Sequence, residues 1–293
     1  MTTSAGDPGR LHRLVVGVDG SEGSSAALRW AIDELDEGGE LVVVTGLAAP
    51  ESQGLPSDVA FWESRRRERE SLLDGAWTEC VRRVGRNLRT MVVDADPADA
   101  VLGTAEREGA DAVVVGSHGH TRWAPAHLGG VTAKVLHRSD VPVVVVPAVV
   151  TGGSRLVVGV NGSAASIDAL LWAMGHARRR GMELEAMWVL EHLYTAAVHA
   201  ALAHVDRDEE AAAEALAFVV ERAREETTFA GPVTQTVVTG EASTLLIDAS
   251  ADAAALVLGS LRLGPVAEFV SGSGFRRIAA GAACPVIAVP ERP

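Results

Sequence analysis

Short apolar runs rich in β-branched residues alternate along this chain with longer segments whose apolar residues recur at helical spacing. In the first half the runs are Leu14 to Val18, Leu41 to Thr45, Thr90 to Val93, Ala112 to Val115 and Val143 to Val146. Each has strand length and is apolar enough for burial on both faces, as parallel strands require. Between them, Ser24 to Leu35, Asp58 to Val84, Pro97 to Glu108 and Val131 to Arg138 carry helix-period apolar positions with charges on the opposite side, the pattern of amphipathic helices. Pro97 suits a first helical turn after Asp96, and Gly109 suits a stop. The second half has the same order. Its strands are Leu156 to Val160, Glu183 to Val189, Val233 to Val238, Ala255 to Leu258 and Val286 to Val289, and its helices lie at Ser166 to Arg180, Glu209 to Glu226, Ser243 to Ala251 and Phe275 to Ala280. Five strands alternating with four helices predict an open, doubly wound parallel α/β sheet, built twice, with right-handed crossovers.

The two halves also share their words. Leu14-Val15-Val16-Gly17-Val18-Asp19-Gly20-Ser21 returns about 142 residues later as Leu156-Val157-Val158-Gly159-Val160-Asn161-Gly162-Ser163, and Ala-Leu-x-Trp-Ala follows each copy, at Ala27 to Ala31 and Ala169 to Ala173. The closing run Val141-Pro142-Val143 reappears as Cys284-Pro285-Val286. A repeat of this length is a duplicated domain rather than a solenoid module. We therefore divide the chain into a first domain, 1–149, a short linker, 150–154, that Thr151-Gly152-Gly153-Ser154 makes flexible, and a second domain, 155–293. The segments Ala49 to Val59 and His192 to Arg207 are least alike between copies and read as surface excursions.

Composition narrows the functional classes. The 293 residues suffice for two cores, and the net charge of −13 argues against general affinity for nucleic acid or anionic lipid. Two cysteines, Cys80 and Cys284, sit at unrelated positions of the two copies, so no disulfide framework or thiolate metal site is encoded. With no apolar signal core in Met1 to Arg13 and no run of membrane-spanning length, a cytoplasmic location is expected.

In open α/β sheets ligands bind beyond the carboxyl ends of the strands, where the strand order reverses. After the first strand that rule selects Asp19-Gly20-Ser21, where the Asp19 carboxylate suits a sugar's paired hydroxyls, and Gly17 at the end of the strand is taken with this site. After the fourth it selects Gly116-Ser117-His118-Gly119, then nine residues, then Gly129-Gly130-Val131-Thr132 leading into a helix. Glycines let backbone amides approach phosphate oxygens, and a helix N-terminus presents unpaired N–H groups. The same glycines also serve turns for steric reasons alone. Neither a Gly-Lys-Ser/Thr phosphate loop nor a Gly-x-Gly-x-x-Gly fingerprint is present.

These residues resemble the universal stress protein family, over both copies nearly end to end: Val-Gly-Val-Asp-Gly-Ser at the first strand, Asp96-Pro97-Ala98-Asp99-Ala100-Val101 opening the third helix, the glycine loop, and the closing Val-Pro-Val strand. The resemblance implies two sheets of order 3-2-1-4-5 with the adenine nucleotide alpha hydrolase-like fold. Gly116, Gly119 and Gly129 fit the Gly-x2-Gly-x9-Gly spacing of the ATP-binding branch, and Gly130 stands where that pattern has Ser or Thr, with Thr132 nearby as a substitute hydroxyl. For copy one the resemblance implies ribose contact by Asp19, adenine contact by backbone near Thr45 and Gly46, and ribose and phosphate contacts by Gly116, Gly119, Gly129, Gly130 and Val131. Copy two departs further, with Asn161 for Asp19 and the spacing Gly259-Ser260-Leu261-Arg262, nine residues, Gly272-Ser273-Gly274. Arg262 either fills the phosphate pocket or grips a phosphate with its guanidinium.

The remaining conspicuous residues take plain readings. His118, His120, His127 and His137 lack partners at metal-ligand spacing, so no metal site is assigned. Trp30 and Trp172 read as equivalent core anchors. Arg65-Arg66-Arg67-Glu68-Arg69-Glu70 reads as a solvated helix face, and both cysteines as small buried hydrophobes. The expected function is a regulator that binds ATP or another adenine nucleotide, with magnesium optional, site one more intact than site two, and assembly as a homodimer with an unidentified protein partner. The alternative is a protein-binding scaffold that has largely lost nucleotide. No acid/base pair or carboxylate cluster accompanies the glycine loop, so an enzyme is not expected.

Overall fold

The computed structural model of the chain describes residues 8–47, 59–84, 87–119, 128–191, 205–260 and 272–292. The expected surface excursions lie outside these residues except at their final positions, which belong to helices. The chain forms two compact units, Leu11–Val149, and Met1–Arg10 together with Val150–Pro293.

The first unit runs β1 (Arg13–Gly17), α1 (Glu22–Glu34), β2 (Glu40–Gly46), α2 (Val59–Val84), β3 (Leu88–Val93), α3 (Pro97–Glu108), β4 (Ala112–Gly116), α4 (Gly130–Arg138) and β5 (Val143–Val146). All its strand pairs are parallel, in the order β3-β2-β1-β4-β5. The second unit repeats this with β6 (Arg155–Val160), α5 (Ala164–Arg180), β7 (Glu183–Leu190), α6 (Val205–Thr227), β8 (Val233–Thr239), α7 (Ala242–Ala249), a 3-10 turn (Ser250–Asp252), β9 (Ala253–Ser260), α8 (Gly272–Gly281) and β10 (Val286–Pro290). Its order is β8-β7-β6-β9-β10, again parallel throughout. Both units are thus the doubly wound α/β sheets expected, with the order reversing between β1 and β4, and between β6 and β9.

Local chemistry sets the element ends. Ser21 Oγ accepts from Ser24 N at 3.1 Å and Ser163 Oγ from Ser166 N at 3.3 Å, so α5 starts two residues before the apolar pattern does. Asp96 caps α3 by accepting from Ala98 N at 3.0 Å, and Gly109 closes that helix at φ 60. Burial raises the Asp96 carboxyl, but the bond from Lys134 at 3.2 Å and the cap outweigh it and hold the group below the usual range. The stability this contributes is present above the ordinary aspartate pKa and is lost as pH falls through the lowered value.

Three expectations are corrected. β3 and β8 are not buried on both faces: apart from Leu88, their residues are half-buried or exposed. Each is the outer strand of its sheet and has one strand neighbour instead of two. Residues 151–153 are pinned rather than loose, because Thr151 N and Oγ1 donate to Ala283 O at 3.0 and 3.1 Å, and Gly153 lies so close to Asp252 O that a Cβ would stand 2.1 Å away. Trp172 is a core anchor at 5 % exposure, but Trp30 is only half-buried. What distinguishes Trp172 is its own unit: it stacks on buried His176 with centroids 5.0 Å apart, His176 Nδ1 lies 3.3 Å from Gly9 O, and the Gly175 backbone leaves no room for a Cβ beside Pro8 O.

Cys80 and Cys284 are both fully buried. Burial pushes the Cys284 thiol up to about 12, far from the range where thiolate forms. A disulfide reagent at pH 8 is accordingly expected to leave Cys284 unmodified in the folded protein and to label it on denaturation; rapid native labelling of Cys284, read by peptide mass, would contradict this.

Candidate nucleotide site

The β1–α1 turn and the β4–α4 turn meet above the point where the strand order reverses. They enclose a cavity of about 280 Å³ whose wall includes Gly17, Asp19, Gly46, Gly116, Gly119, Gly129, Gly130 and Val131, near the lower end of ligand-sized sites. The sequence-selected residues of copy one therefore converge, with one exception. Thr45 is buried and does not line the cavity, because alternation along β2 turns Val44 and Gly46 toward it.

The glycines do different work. At Gly116 a Cβ would stand 2.6 Å from Gly23 C and 2.9 Å from Ser24 N, so this residue is where α1 packs against the end of β4. Gly46 is similarly tight, 2.6 Å from Pro97 Cα. Gly119 differs in kind, since a Cβ there would lie 2.6 Å from Asp19 Oδ2. The loop backbone thus rests directly over the Asp19 carboxylate, whose Oδ1 accepts from Ser21 N at 2.9 Å. At Gly130 a Cβ would meet nothing within 4 Å. That open space adjoins the first turn of α4, whose cap, Gly129, supplies no side-chain bond, so the helix presents its N–H groups and positive dipole end to the cavity.

Thr132 does not replace the hydroxyl missing at Gly130. It is buried and donates to Gly116 O at 2.7 Å, which ties α4 to the end of β4. Two nitrogens in the cavity wall are instead unspent: His118 Nε2 and Arg69 Nε are buried without a hydrogen-bond partner among the described residues. His118 Nδ1 meets Ser117 Oγ at 3.0 Å, which orients the ring. Both residues escaped the sequence reading. Arg69 had a signal, for it stands four, seven and eleven positions before the buried Leu73, Ala76 and Cys80, on the apolar stripe of α2. Its neighbours Arg65, Arg67, Glu68 and Glu70 form the expected solvated face.

The comparisons with known proteins agree with this architecture. The universal stress protein family matches residues 10–147 and again 154–290. The chain belongs to the universal stress protein family. Universal stress proteins of Mycobacterium tuberculosis and Mycobacterium bovis are each 28% identical to it over 300 residues, covering 96% of this chain and 97% of theirs. The crystal structure of a universal stress protein from Archaeoglobus fulgidus superposes with a TM-score of 0.68 at 18% identity, covering 96% of this chain and 97% of that one, a likeness of fold.

The second universal stress protein domain builds its cavity, about 730 Å³, from the equivalent turns, with Gly159, Asn161 and Gly259 in the wall. Asn161 keeps the turn geometry, since its Oδ1 accepts from Ser163 N at 3.1 Å and Ser163 Oγ at 2.7 Å. Gly259 keeps the packing role of Gly116, with a Cβ 2.4 Å from Ala165 C. Other positions change the lining. Strand register puts Val189 where Gly46 stands, and equal spacing from the strand-end glycines Gly116 and Gly259 puts Phe275 where Thr132 stands. Phe275 joins the core cluster under the cavity. Glu191 and Glu241 add carboxylates to the wall, Glu191 Oε1 accepting from Ala242 N at 3.1 Å and Glu241 pairing with Arg277. Arg262 lies outside the described residues, and Gly272 and Ser273 open α8.

Among the described residues no group of three or more His, Cys, Asp and Glu side chains could hold a metal ion, and no helix is long and apolar enough to cross a membrane. His120 and His127 lie outside the described residues.

Proposed function

We propose that this universal stress protein is a regulator that binds ATP, or another adenine nucleotide, in its first domain. The observation that carries the reading is the pairing of Asp19, held under the Gly119 backbone, with the open first turn of α4 across one cavity. A carboxylate suits the paired hydroxyls of a ribose, and helix N–H groups with a positive dipole end suit phosphate. The two buried nitrogens without partners among the described residues, on His118 and Arg69, fit an acceptor-rich ligand. In the second domain the extra carboxylates and the bulk of Val189 and Phe275 favour weaker nucleotide binding or none.

In this reading occupancy, rather than turnover, is the output: nucleotide stabilises one state of the first domain, magnesium is optional, and the protein acts in the cytoplasm as a homodimer toward a protein partner. The scaffold alternative predicts no dependence on nucleotide. Gently purified protein is expected to release adenine nucleotide on denaturation. ATP at about 100 times its dissociation constant should stabilise the first domain by about 2.7 kcal/mol, visible as a raised melting temperature. Absence of both effects would favour the scaffold.

A further inference from the structure

The cationic side chains around the first cavity are mostly committed. Lys134, one turn into α4, is held by Asp96 at 3.2 Å, and Arg66 binds the Asp94 carboxylate at 2.6 and 2.7 Å. Among the described lining residues Arg69 is the single lysine or arginine. Its position on the buried stripe of α2 brings the guanidinium inward, and its Nε is buried with no acceptor among the described residues. A guanidinium stays charged in any protein setting, and a buried N–H of a charged group is costly unless something supplies an acceptor. The Asp19 carboxylate is engaged by Ser21 N and covered by Gly119. The Thr132 hydroxyl is spent on Gly116 O.

We infer that Arg69 is the specificity-determining residue of the first site, reading the anionic phosphate chain of the nucleotide and making the site select nucleoside polyphosphates over the uncharged nucleoside. This rests on the nucleotide reading of the site. It also accounts for how the site tolerates Gly130, where a hydroxyl donor is missing: a charge-assisted donor from α2 takes over part of that role. Among its described lining residues the second cavity has no lysine or arginine and has two glutamates instead.

Calorimetry with ATP and with adenosine on the full chain and its Arg69→Gln and Arg69→Lys variants tests this, with the ligand-free melting temperature measured for each. Arg69→Gln is expected to weaken ATP about 10- to 150-fold, the span of one charged hydrogen bond, while adenosine changes less than about twofold, and Arg69→Lys is expected to recover part of the loss by restoring charge without the planar fork. Unchanged ATP affinity in Arg69→Gln overturns the inference, as does an equal loss for ATP and adenosine, which would place Arg69 on the nucleoside or in the fold. Wild-type protein that binds neither ligand overturns the nucleotide reading itself, a separate outcome.

Discussion

Gly116→Ala is expected to destabilise the ligand-free first domain by about 1–3 kcal/mol, the usual cost of forcing atoms into a closely packed contact, whereas Gly130→Ala should be neutral or stabilising by up to about 1 kcal/mol. The two glycines belong to one motif, yet their surroundings are opposite. An alanine methyl at Gly116 would stand 2.6–2.9 Å from backbone atoms of Gly23 and Ser24, and backbone cannot step aside as a side-chain tip can. At Gly130 the methyl meets nothing within 4 Å, and the residue sits in the first turn of α4, where alanine restricts the unfolded chain more than glycine does. Gly259→Ala, 2.4 Å from Ala165, should repeat the Gly116 result in the second domain. Thermal unfolding of the three ligand-free variants decides it. Equal melting temperatures for Gly116→Ala and wild type would mean that α1 and β4 separate easily, and that the first glycine of the loop serves ligand rather than packing.

That contrast shows where the sequence was legible and where it was not. Among the described residues periodicity located each strand and α-helix to within a few residues, because doubly wound sheets bury continuous β-branched runs and the two copies could be checked against each other. The burial of the outer strands was misjudged from runs such as Thr90 to Val93, since apolarity alone does not reveal how many neighbours a strand has. In the site, Asp19 and the glycine spacing were visible because turn residues carry their own signature. The division of labour among those glycines was not, for it depends on which backbone lies opposite each one: Gly23 against Gly116, Pro97 against Gly46, the Asp19 carboxylate against Gly119. Arg69 was hidden by its charged neighbours, although its spacing from Leu73, Ala76 and Cys80 placed it on the buried stripe. In copy two the change of Asp19 to Asn161 could be read directly, but Glu191 and Val189 become part of the cavity only when β7 is placed beside β6 in register.

Asp19→Asn is expected to lower nucleotide affinity about 10- to 150-fold, the loss of a charged hydrogen bond worth about 1.5–3 kcal/mol, with little change in the ligand-free melting temperature. The second domain supplies the control for stability, because Asn161 already holds the equivalent turn through Ser163 N and Ser163 Oγ. Gly119→Ala should weaken binding through the same group, since its methyl would displace Asp19 Oδ2. In a double-mutant cycle with Asp19→Ala the Gly119→Ala change should cost much less, because the atom its methyl would displace is gone. The reverse change, Asn161→Asp with Arg262→Gly, restores the two motif positions of copy two and is nevertheless expected to leave its site weak. Val189 and Phe275 still occupy the places of Gly46 and Thr132, and Glu191 and Glu241 still face any phosphate with like charge. Calorimetry should therefore give about one tight site per chain in the wild type and in the reverse variant alike, and none in Asp19→Asn at the same concentration. A second tight site gained by Asn161→Asp with Arg262→Gly would show that the motif positions alone control binding and that the altered walls of the second cavity are tolerated.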